Sequence, residues 1–169
     1  MFWKKRFNLN KFIKEYEQAK GKPFVLNKLM DTFPKDTHNY KKELLSLINT
    51  SIRTKNSDKL RLYLSLAWGD GMDYSYKPIL KEIILAKWHT FHEDIVDYVT
   101  NFKDETFTDD IYTIATDSFY RQYDDENDAT LRKCVHALIA FNSEKAKEKI
   151  QLLKDTGNMN IKFILDMYD

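Results

Sequence analysis

The 169 residues carry 27 Lys and Arg against 26 Asp and Glu, a net charge of +1, with 43% hydrophobic side chains and only four Gly and three Pro. That length suits one domain with a substantial core, or roughly four or five helical hairpins, and so few turn-forming residues argue against a strand-rich fold. The lone cysteine, Cys134, excludes an internal disulfide and fits a reducing compartment, with the cytoplasm as the expected location.

The near-zero net charge conceals a strong polarity along the chain. Residues 1–56 hold 13 Lys and Arg against 5 Asp and Glu, whereas residues 89–130 hold 2 against 12. The chain is therefore basic at its start, with a segment charge of +8, and acidic in its middle, at −10.

In chain order, Met1 to Phe7 is basic and aromatic, but no apolar core of signal-peptide length follows it. No run reaches transmembrane length. Phe7 to Lys20 then reads as an amphipathic helix striped by Leu9, Phe12, Ile13 and Tyr16, and stopped by Gly21-Lys22-Pro23. A membrane-surface role for residues 1–16 is one way to use that stripe; packing against a neighbouring helix is the other. A short apolar piece, Phe24 to Phe33, is halted by Pro34, and Asp36 or Thr37 caps a helix running to about Arg53 with Tyr40, Leu44, Leu47, Ile48 and Ile52 inward. Asn56-Ser57-Asp58 turns the chain into a helix from Lys59 to Trp68, ended by Gly69-Asp70-Gly71.

A more regular region follows. Tyr76 to Lys87 is expected to be helical, with Pro78 in its first turn and Ile79, Ile83, Ile84 and Trp88 on one side. His92 to Phe102 buries Ile95, Val96, Val99 and Phe102, and after Lys103-Asp104 a helix capped by Thr106 or Thr108 runs to about Phe119 with Phe107, Ile111, Ile114 and Ala115 inward. Tyr120 to Asp128 is a polar, acidic connection. In Asp128 to Leu153, Leu131, Cys134, Val135, Leu138 and Ile139 form one stripe, Asn142-Ser143 ends one helix and caps the next, and Ala146, Ile150 and Leu153 form a second stripe. Thr156-Gly157-Asn158 turns into a last helix, Met159 to Tyr168. Second helices of successive pairs thus begin near His92, Asp128 and Met159, spacings suited to stacked helical hairpins. The expected fold is an all-α, right-handed α-solenoid in a single domain, residues 1–75 forming an irregular helical amino-terminal cap and residues 76–169 the repeats; a closed helix bundle is the runner-up.

Leu131-Arg132-Lys133-Cys134-Val135-His136-Ala137-Leu138, then Phe141, Ser143-Glu144-Lys145-Ala146, Ile150 and Leu153, resembles the consensus of bacterial HEAT-repeat proteins. Trp88-His89-Thr90-Phe91-His92-Glu93-Asp94-Ile95 with Phe102-Lys103-Asp104 is similar to a repeat in small HEAT-like bacterial proteins, some of them immunity partners of secreted toxins. The resemblance spans residues 76–169 and implies fold more than function. Phe141-Asn142 stands where the pattern has an aliphatic residue and a glycine, so a different turn is expected there.

Several constellations invite chemistry. His89, His92, Glu93 and Asp97 share a spacing that could ligate a metal, with His136 a further ligand, yet the order H-x-x-H-E matches no zinc-protease motif and equally describes a capped helix start. A His-Asp doublet of the HD hydrolase type is absent, since Glu93 follows His92. HEAT-like arrays also include DNA glycosylases, for which Trp68, Trp88, Tyr123 and Asp128 supply the residue types, but an acidic face repels phosphates. Cys134 lies on an apolar stripe and reads as core. No cofactor is expected. What helix-start electrostatics leave over is Asp124, Asp125, Glu126 and Asp128, with Glu93, Asp94 and Asp97 one repeat earlier and Tyr98, Tyr120 and Tyr123 among them. Such an acidic, tyrosine-bearing edge suits a basic protein partner. The expectation is a non-enzymatic protein-binding module, in its sharper form an immunity protein neutralising a basic toxin.

Overall fold

A computed structural model describes residues 7–32, 40–69 and 71–168, and every regular element among them is helical. The chain divides into two compact units, Met1–Met72 and Asp73–Asp169.

In the first unit, α1 (Leu9–Ala19) is opened by Asn8, whose side-chain oxygen accepts from the Lys11 amide, one of the donors that a helix start leaves without an internal partner. Of its stripe, Leu9, Phe12 and Ile13 are buried and Tyr16 is half-buried, so most of this face belongs to the core. The turn at Gly21, with φ of +84°, leads into α2 (Pro23–Asp31), which packs on α1. The expected stop at Pro34 and the caps at Asp36 and Thr37 fall outside the described residues, as do Met1 to Arg6. Next, α3 (Lys41–Arg53) and α4 (Ser57–Gly69) pair through Leu44 and Ile48 on one side and Leu60, Leu64 and Ala67 on the other, all fully buried. Asn56 caps α4 by accepting from the Lys59 amide at 3.1 Å.

The second unit holds α5 (Lys77–Ile83), α6 (His92–Thr100), α7 (Thr108–Thr116), α8 (Ala129–Phe141), α9 (Glu144–Lys154) and α10 (Met159–Leu165). Helix α8 is central: it packs on α6, α7, α9 and α10, and it buries Leu131, Cys134, Val135, Ala137 and Leu138 almost completely. Each Leu or Val side chain removed from water in this way contributes about 2 kcal/mol. Alternate helices also touch, α6 on α8, α8 on α10 and α7 on α9.

Two expected helices are shorter than their apolar stripes. Helix α5 ends at Ile83 rather than Lys87, in a tight turn in which the Ala86 amide donates to Ile83 at 2.9 Å and side chains from beyond the helix bond the carbonyls at its end. His89 Nε2 meets the Ile83 carbonyl at 2.8 Å, the Tyr120 hydroxyl donates to Leu85 at 3.1 Å, and His92 Nε2 meets Ala86 at 3.0 Å. Helix α7 stops at Thr116, where Asp117 turns extended and its carboxylate accepts from the Phe119 amide at 2.9 Å. At the end of α8, Asn142 adopts the left-handed conformation, φ of 50°, that glycine usually fills. An asparagine thus ends α8 in a conformation open to it as well as to glycine.

Candidate docking surface

The acidic connection from Asp117 to Asp128 is folded by its own carboxylates. Asp128 precedes α8 in left-handed conformation, φ of 49°, and makes no side-chain cap. Asp124 does that work from further back: one oxygen accepts from the Thr130 amide at 2.9 Å and the other faces the Leu131 amide at 3.3 Å. A carboxylate at the positive end of the helix gains from both the hydrogen bonds and the dipole. Asp125 closes a small turn by accepting from the Asn127 amide at 2.9 Å. Asp128 accepts from Asn158 and Asn160 of the next hairpin at 2.9 and 3.2 Å and faces Arg121 at 3.7 Å. Burial works to raise the Asp128 pKa, but the two asparagine amides and Arg121 outweigh it and hold the carboxyl below its ordinary range. The Glu126 carbonyl accepts from Asn160 at 3.1 Å. On this framework Tyr123 stands 74% exposed, with the side chains of Asp125 and Glu126 also exposed.

The acidic turn of α6 has a different fate. Glu93 and Asp97 both bind Lys133 of α8, at 2.8 and 2.6 Å. The lysine gains charge stabilisation from its two partners that exceeds the cost of its partial burial, so its pKa is raised. Asp94 is half-buried in the same turn. Tyr98, expected as a surface anchor, is only 7% exposed and belongs to the core, because it follows Ile95 and precedes Val99 on the side of α6 that packs inward. Asp97 bonds Lys133 and Asp124 bonds the Thr130 and Leu131 amides, which places the two acidic groups along the first turns of α8. They do not form a continuous row of unpaired carboxylates: Glu93, Asp97, Asp124 and Asp128 are each bonded within the chain.

Lys133, Arg121, Asn158 and Asn160, which answer these carboxylates, do not stand out as site residues in the sequence. The signal for them is spacing, since Asp97 and Lys133 lie 36 residues apart and Asp128 and Asn158 lie 30 apart. The same pattern recurs elsewhere. Lys77 of α5 binds Asp104, Lys81 binds Asp110, and Asp109 of α7 receives both Lys145 and Lys149 of α9.

The histidines whose spacing could ligate a metal are bonded to the backbone. His89 and His92 are each 1% exposed, their rings 4.4 Å apart, with Nε2 of each on a carbonyl and Glu93 turned to Lys133. Burial drives both pKa values down, that of His89 to about 4 despite the Ile83 hydrogen bond, with His92 adding a smaller push. Among the described residues no three His, Cys, Asp or Glu side chains converge as a metal site. For a glycosylase-like centre, Asp128 is spent on Arg121 and two asparagines, and Trp88 lies edge-on to His89 at 5.2 Å. Trp68 lies in the first unit. Cys134 is fully buried and its thiol pKa is pushed up by that burial, so it is held as the neutral thiol. No helix of the described residues is long and apolar enough to cross a membrane.

No protein-family model, curated protein or solved structure matches the chain. The HEAT-like resemblance of residues 76–169 therefore rests on the residues quoted for it alone.

Proposed function

We propose that this chain is a non-enzymatic, cytoplasmic protein-binding module whose residues 76–169 form a right-handed HEAT-like solenoid, and that it engages a basic protein through the loop ahead of α8. The observation that carries this reading is a loop locked by its own hydrogen bonds that presents an exposed tyrosine followed by acids. Asp124 caps α8, Asp125 closes the turn and Asp128 ties the loop to the next hairpin, leaving Tyr123, Asp125 and Glu126 outward. Such a loop is ordered before binding, so little conformational freedom is lost on association, and a tyrosine flanked by carboxylates combines an anchor with long-range steering. Glu93, Asp94 and Asp97 contribute to the field around the site, while their pairing with Lys133 removes Glu93 and Asp97 as primary contacts. The sharper form, an immunity-type protein neutralising a basic toxin such as a nuclease, is supported by the resemblance together with the acidic loop.

Capture from native lysate at low salt with two baits tests this: the wild-type chain and a Tyr123→Ala, Asp125→Lys, Glu126→Lys variant. A basic protein held by the wild type, released by about 0.3 M salt and weakened at least about tenfold by the variant, is the expected result. The reading fails if both baits retain the same proteins equally, or if the captured partner ignores salt.

A further inference from the structure

We propose that the turn joining α1 to α2 is a docking tip for an anionic bilayer surface. Six consecutive residues, Lys20 to Val25, are exposed. Phe24 is 70% and Val25 49% exposed, side by side in the first turn of α2, where water gains nothing from either. Around them stand Lys20, Lys22 and Lys28, and the stretch from Gln18 to Met30 contains no acidic residue. The Lys28 ammonium lies 4.4 Å from the centre of the Phe24 ring, which ties the cationic and apolar parts of the patch into one feature. Gly21, at φ of +84° with open space where a Cβ would stand, reverses the chain and leaves the tip uncovered. The backbone of the turn is set by the Lys22 amide donating to Ala19 at 2.9 Å.

The chemistry that satisfies all of these side chains is an interface with apolar chains beneath and negative headgroups above. Phe24 and Val25 enter the acyl boundary, while the lysine stems lie along it and their ammonium groups reach the phosphates. A nucleic acid also attracts the lysines and stacks on the phenylalanine. It has no use for the neighbouring valine, whose branched aliphatic group offers no face to a base. The patch lies in the unit Met1–Met72 and the docking loop in the unit Asp73–Asp169, so the proposal is independent of the function argued above.

Co-sedimentation of the full chain with vesicles of phosphatidylcholine alone, and with about 30% phosphatidylserine added, provides the test. The expected result is binding to the anionic vesicles that is at least about tenfold weaker on the neutral ones. Two variants, Phe24→Ser with Val25→Ser and Lys20→Glu with Lys22→Glu, should each lose at least about tenfold in binding, with unchanged urea midpoints because all four side chains are exposed. Three outcomes overturn the proposal: no binding of the wild type to anionic vesicles, binding of the serine variant equal to wild type, or tighter binding to a short DNA duplex than to the vesicles.

Discussion

His89 shows how one side chain can both end a helix and set a pH limit. Its Nε2 bonds the Ile83 carbonyl, so that nitrogen carries the proton in the neutral ring, and Nδ1 is left buried without a hydrogen-bond partner. Adding a second proton places a charge at a 1% exposed position beside His92, which is why the pKa falls from 6.5 to about 4. In the unfolded chain the ring titrates near 6.5. Between that value and about 4 the unfolded state binds more protons than the folded one, so this residue's contribution to stability is complete above pH 6.5 and is lost as the pH falls toward 4. The loss expected is about 3 kcal/mol, read from urea unfolding at several pH values. His89→Gln keeps an amide that can reach the same carbonyl and does not titrate, so its stability should fall by less over that window. An identical pH slope in wild type and variant would mean that the folded ring binds its proton as readily as the unfolded one, and would remove His89 from the account.

Helix α8 shows what a local pattern reveals and what it conceals. Its stripe, Leu131, Cys134, Val135, Leu138 and Ile139, was legible because helical spacing of apolar residues is a local property; the first four are buried and Ile139, at the stripe's edge, is half-buried. The ends of α5 and the starting cap of α8 were not legible. The groups that settle them come from other parts of the chain: His89, His92 and Tyr120 for the one, and Asp124, six residues before the amide it binds, for the other. Asp128 looks like the cap from its position in sequence and is excluded from that role by its left-handed backbone. Asp124→Ala should therefore cost about 1 kcal/mol, whereas a cap assigned to Asp128 would predict no such loss. At the other end, Asn142→Gly should be neutral or stabilising by a few tenths of a kcal/mol, because glycine meets the φ of 50° without a Cβ penalty, and Asn142→Val should cost about 1–2 kcal/mol. Urea midpoints of the three variants give the ranking. If valine is tolerated as well as glycine, the left-handed turn is not what ends α8.

The charge block of −10 between residues 89 and 130 bears two opposite interpretations, and the arrangement of the second unit separates them. Read as a surface, it is a field of carboxylates repelling one another and waiting for a cationic partner. Within the fold, much of it is answered from neighbouring hairpins: Lys77 reaches Asp104, Lys81 reaches Asp110, Lys133 reaches Glu93 and Asp97, and Lys145 and Lys149 reach Asp109. Repulsion and pairing respond to salt with opposite sign. Screening relieves a repelling surface and stabilises the fold, whereas screening weakens a set of attractive pairs and destabilises it. Most of these side chains are partly exposed, so each pair contributes little alone and only their sum registers in the response to salt. Cys134 makes that sum measurable in its own unit. The thiol has no exposed surface and reacts with a disulfide reagent only when residues around α8 open, so its labelling rate, normalised to an unfolded peptide at the same salt, reports the opening free energy. Raising sodium chloride from about 10 mM to about 0.3 M should speed labelling roughly fivefold, and Lys133→Met should reduce that salt effect by removing the cation shared by Glu93 and Asp97. Slower labelling at high salt would mean that the carboxylates repel one another more than their lysines attract them. In that case the whole acidic block, and not only the loop carrying Tyr123, would be available to a partner.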